Sequence, residues 1–260
     1  MDDAPLRQGR TLSIVIPVYN ELNTWRDLVA RVLAVGLPGW SKEVILVDDG
    51  STDGTRDQLR QFAAALPTGG DASGARFRVV FSERNRGKGA ALRTGFAAAT
   101  GEVVVVQDAD LEYNPADYSK VLAPFDDPRT EVVYGSRFLL PRSRKGYLKN
   151  FLANKLLTGL TNLVTGQRLT DMETCYKVFR REIIQSIELE QDRFGFEPEV
   201  TIRVAQRGIT IREVPITYQA RSHEEGKKIG WKDGLKAIWC ILKYGVKRKK
   251  GRPGPLGGQT

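Results

Sequence analysis

Three carboxylates crowd the end of one apolar run: Val103–Glu112 reads VVVVQDADLE, with Asp108, Asp110 and Glu112 close behind four valines. Carboxylates this near one another repel unless a cation lies between them. Their hard oxygens suit Mg²⁺ or Mn²⁺, above all when substrate phosphates complete the shell. An isolated D-x-D is also compatible with a solvated strand-to-loop turn. A second acid pair, Asp48 and Asp49, follows the apolar run Glu43–Val47. An acid in that place can hydrogen-bond a ribose or base edge, or cap the following turn; one of the two is expected to cap. Gly87-Lys88-Gly89, flanked by Arg84 and Arg86, fits neither a Walker A loop nor G-x-G-x-x-G. At a helix start it still suits either a diphosphate or a tight turn with solvated charges. A nucleotide at Asp49 and a metal at Asp110 together describe a nucleotide-diphosphate donor site.

These residues need strands to end beside one another. Thr11–Val18, Glu43–Val47, Phe77–Ser82 and the valine run read as buried strands, each of the first three followed by a helical pattern. The helices are expected from about Leu22 to Val35, from Asp53 to Ala65, and from the Gly87–Gly89 turn to Thr100. Such alternation predicts an α/β fold with a doubly wound, mostly parallel sheet flanked by helices. Ligands then bind beyond the carboxyl ends of the strands, where the acids lie. Further on, Pro115–Phe125 reads as helix, Glu131–Ser136 as strand, Leu148–Val164 and Glu197–Gln206 as helices, and Ile211–Tyr218 as strand. Residues 168–180 read as irregular, and no second core is expected.

Composition excludes several chemistries. A single histidine, His223, rules against a histidine metal site or a catalytic triad, and Cys175 and Cys240 stand in no metal spacing. No apolar run reaches transmembrane length, and the polar start MDDAPLRQGR predicts no signal peptide. The net charge of +9 is concentrated late, with six Lys or Arg and no acid in residues 243–252. That block suits an anionic membrane surface or a nucleic acid. No recognised nucleic-acid-binding motif accompanies it, so no nucleic-acid partner is expected.

Taken in order, IVIPVYNE, VILVDDGSTDGT, NRGKGAALRTG, VVVVQDADLEYNP and VVYGSRF resemble the family 2 glycosyltransferases of the GT-A (Rossmann-like) fold over about residues 11–220. Within that family, ARSHEEGKKIGWKDG is similar to the end of polyprenyl-phosphate sugar synthases such as dolichyl-phosphate mannose and glucose synthases. The resemblance implies a nucleotide-sugar site lined by Pro17, Tyr19, Glu21, Val47, Asp49, Asp108 and Ala109. It implies Mg²⁺ or Mn²⁺ at Asp108, Asp110 and Glu112, several relatives carrying Gln at the last position. Asp110 and Arg137 would be catalytic, Arg137 lying between donor and acceptor phosphates. Arg221 and Lys227 (or Lys228) would close over the donor diphosphate. For the acceptor phosphate the family's Arg and Ser find no clean match, and Lys149 and Asn154 are the nearest residues. The implied reaction is inverting hexose transfer, mannose from GDP-mannose ahead of glucose from UDP-glucose, to a polyprenyl or dolichyl phosphate. A hydroxyl acceptor would instead need a general base, for which Asp171 and Glu173 are the candidates.

The tail completes the expectation. Trp231, Leu235, Ile238, Trp239, Leu242 and Val246 share one third of a helix circumference, with Lys232, Lys236, Lys243 and Lys247 alongside. This basic amphipathic C-terminal helix suits a membrane interface, or packing of its apolar stripe on the core. The expected organisation is a glycosyltransferase domain at 1–220, a donor-closing segment with the interfacial helix at 221–250, and a disordered tail at 251–260. The expected location is peripheral, on the cytoplasmic face of a membrane.

Overall fold

The computed structural model describes residues 9–66, 74–140, 148–219 and 231–245, with backbone alone at 148–150 and 231–233. Arg221, His223, Lys227, Lys228, the Lys149 side chain, the basic block beyond Gly245 and the 251–260 tail therefore lie outside the described residues.

The strand-forming runs assemble into one seven-stranded sheet. In chain order the strands are β1 (Arg10–Val18), β2 (Trp40–Asp48), β3 (Arg76–Phe81), β4 (Val103–Val106), β5 (Val132–Ser136), β6 (Lys177–Arg180) and β7 (Ile211–Pro215). The helices are α1 (Trp25–Ala34), α2 (Thr55–Ala65), α3 (Lys88–Ala98), α4 (Tyr118–Leu122), α5 (Leu148–Thr165), α6 (Arg181–Ser186), α7 (Phe196–Gln206) and α8 (Trp231–Gly245). Spatial order across the sheet is β3-β2-β1-β4-β6-β5-β7. All neighbours run parallel except β6, which is antiparallel to both β4 and β5.

Full burial of the four β4 valines is what a central strand covered on both faces requires. Register then sets the site. Val15 pairs with Val106 and Val18 with Asp48, so β1, β2 and β4 deliver their acid-bearing carboxyl ends to one edge.

Three expectations change. Residues 168–180 are not wholly irregular, because Lys177–Arg180 forms β6, which runs directly into α6 at Arg181–Ser186. A charged Lys177 at the head of a four-residue strand hides the apolar signal. Its ammonium is nevertheless fully buried, donating to the carbonyls of Met172 (2.8 Å) and Thr174 (2.5 Å). The stretch Pro115–Phe125 forms three short turns of helix rather than one helix, with Pro124 within the last. Asp53 stands outside α2, its carboxylate accepting the N–H groups of Thr55 and Leu22.

The first layer of packing depends on a missing side chain. A Cβ at Gly95 of α3 would lie 2.2 Å from Cγ1 of Val15 in β1. Gly95→Val is therefore expected to cost about 2 kcal/mol through overpacking, read as a lower urea midpoint at unchanged slope.

Candidate active site

The site is built from loops that cross-link one another. After β1 the chain turns through Asn20, a non-glycine residue at φ 56°. Its Oδ1 accepts Thr52 N–H at 2.8 Å and its own N–H donates to Ser51 Oγ at 3.0 Å, while Glu21 N–H donates to Thr55 Oγ1. These bonds staple the β1 loop to the β2 loop. Tyr19 stands out from that staple with 45% of its surface exposed, a bulky ring presented to solvent. Val47 is fully buried in the sheet, so only its backbone can reach a ligand.

Both acids after β2 are engaged. Asp48 pairs with Arg56 at 2.8 Å and accepts Ser51 N–H. Asp49 accepts Asn85 Nδ2 (3.0 Å), Arg86 N–H (3.0 Å) and Gly87 N–H (2.6 Å). Capping is thus shared between them, and Asp49 shapes the loop that opens α3. Burial, aided by the Asp48 charge, raises the Asp49 carboxyl above its ordinary range despite those amides. Glycine is required at 87: φ is 111°, and a Cβ would meet the carbonyl of Asp192 at 2.6 Å.

The D-A-D-L-E turn is strained at its centre. Leu111 holds φ 64°, a conformation that branched and bulky side chains rarely adopt. Asp108 faces Lys88, whose Nζ lies 2.8 Å from Oδ1, and the same ammonium lies 3.2 Å from Glu197 Oε1 on α7. Burial opposes the Lys88 charge, but Asp108 and Glu197 outweigh it and hold the ammonium protonated well beyond its ordinary range. Ala109 is buried. Asp110 Oδ1 accepts Glu112 N–H at 3.2 Å, and Glu112 Oε2 accepts the Tyr218 hydroxyl at 2.9 Å.

Tyr218 links this turn to the cation predicted after β5. The Arg137 guanidinium lies over the Tyr218 ring, 5.2 Å from its centroid. Asp171 grips Arg137 through N–H (3.0 Å), Nε (2.7 Å) and Nη2 (2.8 Å). Asn154 donates to the same carboxylate at 3.0 Å and accepts from Thr158. It is buried behind Asp171 and positions that acid rather than presenting its amide to an acceptor. Asp171 is fully buried. Burial opposes its ionisation, but Arg137 prevails and holds the carboxyl below its ordinary range. It is a clamp, not a base. The structure thus brings Asp110, Glu112, Tyr218, Arg137 and Asp171 into one chain of contacts.

Among the described residues no three His, Cys, Asp or Glu side chains converge as a ready metal cage. The donor set still fits a hard cation shared with a substrate diphosphate, since Mg²⁺ takes one or two carboxylates and completes its shell with phosphate and water. Asp108, Asp110 and Glu112 are the carboxylates of this turn that could supply it, Lys88 standing beside Asp108 and the Tyr218 hydroxyl donating to Glu112.

Sequence reasoning placed Lys88 near a diphosphate but missed its pairing with Asp108 and Glu197, and it missed Tyr218 as part of the site. Glu173 stands among the candidate bases of the sequence, but its buried neighbour Lys177 does not. Burial beside Glu197 pushes the Glu173 carboxyl up to about 7, and its enclosed Oε1 has no hydrogen-bond partner among the described residues.

Two outcomes follow from this geometry. Asp171→Ala leaves Arg137 buried and unanswered, and is expected to lower unfolding free energy by about 3–5 kcal/mol in urea. Glu173 ionises later in the folded chain than in the unfolded one. Its contribution to stability is therefore full below its ordinary value and is lost as pH rises towards 7. Glu173→Gln, which stays neutral, should gain stability relative to wild type between about pH 5 and pH 8. Parallel stability–pH curves for the two proteins would contradict this.

Comparison with known proteins matches the same architecture. The family model for glycosyl transferase family 2 covers residues 13–188. An undecaprenyl-phosphate 4-deoxy-4-formamido-L-arabinose transferase of Edwardsiella ictaluri is 32% identical over 83% of this chain, which spans 62% of that protein. A dodecaprenyl-phosphate galacturonate synthase of Rhizobium johnstonii is 30% identical over 96% of this chain and 71% of its own length. Among solved structures, glucosyl-3-phosphoglycerate synthase from Mycobacterium tuberculosis, in complex with Mg²⁺ and UDP, superimposes with TM-score 0.66. It is 24% identical, over 91% of this chain and 79% of that one, and shares the fold. With the family model spanning the nucleotide-side strands, the D-x-D turn and Arg137, the chain belongs to glycosyl transferase family 2.

Proposed function

We propose that this chain transfers a sugar from a nucleoside-diphosphate sugar to a polyprenyl phosphate, with inversion at the anomeric carbon. The observation that carries the reading is the Arg137–Asp171 clamp. The acid best placed to act as a base is spent on fixing a cation. A phosphate monoester acceptor is already anionic at neutral pH, so it needs a cation more than a base. The polyprenyl-phosphate substrates in the names of two relatives support the same acceptor class.

On the donor side, the Pro17–Glu21 loop and Asp49 shape the nucleotide pocket, with Tyr19 offering its ring to the base. Asp108 and Ala109 border the diphosphate. Asp110 would hold Mg²⁺ or Mn²⁺ with the diphosphate oxygens, and Glu112 would support it. When bound, the metal supplies charge neutralisation for the leaving diphosphate. Arg137 has two N–H groups fixed by Asp171 and no further acceptor among the described residues, which suits it to phosphate oxygens. Arg221, Lys227 and Lys149 complete the proposal from outside the described residues.

For the sugar, the sequence resemblance favours mannose from GDP-mannose, then glucose from UDP-glucose. The two relatives carry 4-deoxy-4-formamido-L-arabinose and galacturonate in their names, so the donor choice rests on assay. A hydroxyl acceptor on a polysaccharide or lipid is the second reading, favoured by the high pKa of Glu173. Its free Oε1 is enclosed, however, and reaching an acceptor would require the site to open.

The acceptor class places the enzyme at a membrane, and α8 supports that. No described helix is long and apolar enough to cross a bilayer. The buried face of α8 is Ala237, Cys240, Ile241 and Tyr244, whereas Leu235, Trp239 and Leu242 remain 55%, 55% and 59% exposed. Part of the predicted apolar stripe thus faces outward while the helix docks by another face. Helix α5 packs beside α8, Val164 meeting Gly245, and exposes Leu152, Leu156 and Leu163. An anionic membrane on its cytoplasmic face is the surface proposed for this pair of helices.

Radiolabelled GDP-mannose, UDP-glucose and further nucleotide sugars, each with polyprenyl phosphate and Mg²⁺ or Mn²⁺, should yield label extractable into organic solvent. Chelation should abolish it, and Asp110→Ala should reduce it by about 100- to 1,000-fold while the fold survives. Label passing instead to a soluble hydroxyl acceptor, without lipid phosphate, would overturn the assignment.

A further inference from the structure

A second concavity adjoins the Asp49 loop, since Asn85 and Arg86, which line it, also donate to the Asp49 carboxylate. The loop opening α3, the 191–195 segment and α8 enclose a cleft of about 640 Å³. Arg84, Arg86, Arg193 and Lys236 line it, all exposed, together with Trp239. Asp192 is the one carboxylate among the lining residues, and it is already shared by Arg93 and Arg86. Arg84, Arg193 and Lys236 form no ion pair with any described carboxylate. Like charges gathered around one hollow repel one another, and the hollow thereby favours an anion.

The cationic wall is also held in place. Gly87 allows the Arg193 stem to lie against the α3 turn, where a Cβ would come within 2.5 Å of Arg193 Cγ. Tyr244 accepts from Gln191 Nε2 at 2.8 Å, tying α8 to the 191–195 segment. Lys88, in the same loop as Arg84 and Arg86, is committed to Asp108 and Glu197 rather than to the cleft.

We infer that this cleft is a headgroup site for an anionic phospholipid. Arg193, Lys236 and Arg84 receive the phosphate diester, and the hydrocarbon runs along the outward stripe of α8. A free phosphate or nucleotide would answer the same charges but leave Leu235, Trp239 and Leu242 in water. An amphiphile satisfies both features, because the basic hollow and the apolar stripe meet at Trp239. The site rests on the membrane part of the proposed function and adds a discrete location and ligand class to it.

The test is vesicle flotation of the full chain on phosphatidylcholine, with and without phosphatidylglycerol. Wild type should float only with the anionic lipid. Arg193→Gln with Lys236→Gln should weaken binding about thirtyfold, from roughly 1 kcal/mol per basic residue at an anionic surface. Arg31→Gln with Arg60→Gln, on the exposed faces of α1 and α2, should leave it unchanged. Equal weakening by both pairs would show diffuse charge attraction and overturn the cleft. Inorganic phosphate at matched ionic strength should fail to release the protein; release would assign the cleft to a free anion and overturn the lipid. Transfer by wild type from detergent-dispersed polyprenyl phosphate is scored separately. Its absence would sink the proposed reaction while leaving the flotation result to decide the headgroup site.

Discussion

Charge crowding at the carboxyl edge of the sheet is the constraint on which the rest depends. A parallel sheet that ends β2 and β4 in acids, with only β1 between them, places like charges where desolvation makes repulsion strong. The chain answers each one. Arg56 pairs with Asp48, backbone amides of the α3 loop hold Asp49, and Lys88 spans Asp108 and Glu197. Arg137 answers Asp171 from the far side. The D-x-D turn is held by Lys88 of α3 at Asp108 and by Tyr218, beyond β7, at Glu112, and the left-handed backbone at Leu111 lies between those two contacts. A loop with such strain and no such support would relax.

Much of this was legible in the sequence because it depends on local pattern. Apolar strands followed by helical spacing define the nucleotide half, and Asp108, Asp110 and Arg137 stand at strand ends by their place in the chain. The partners were not legible, because they come from distant segments. Glu112 and Tyr218 are 106 residues apart, and Asp49 and Gly87 are 38 apart. Asp171 was visible as an acid, but whether it was a base or a clamp depended on what faced it. β6 escaped for another reason: the buried lysine at its start is paid for by carbonyls that no periodicity reveals.

The same limit explains α8. Helical spacing identifies an apolar stripe, but not which face the rest of the protein claims. Here α5 and α7 claim a face made of Ala237, Cys240, Ile241 and Tyr244, whose small and hydroxyl-bearing side chains look less apolar than the stripe itself. Tyr244 is suited to this because its hydroxyl meets Gln191 while its ring is covered. The more hydrophobic face, with Leu235, Trp239 and Leu242, is left outward. Burying it inward would gain apolar area but forfeit the Tyr244 bonds and the fit of Gly245 against Val164.

For the proposed reaction, that choice would have a consequence for how a lipid acceptor and a nucleotide-sugar donor meet. The donor-side acids and Arg137 lie at the carboxyl edge of the sheet, while the outward stripe lies on a helix packed against α5 and α7. The 84–88 loop spans the two, sending Lys88 to Asp108 and Arg84 and Arg86 to the basic cleft. Lipid engaged at the cleft would press on the loop whose amides hold Asp49 and whose lysine holds Asp108. On the proposed reading, membrane contact and donor binding would both bear on this one turn, where Gly87 lets the Asp192 carbonyl and the Arg193 stem approach.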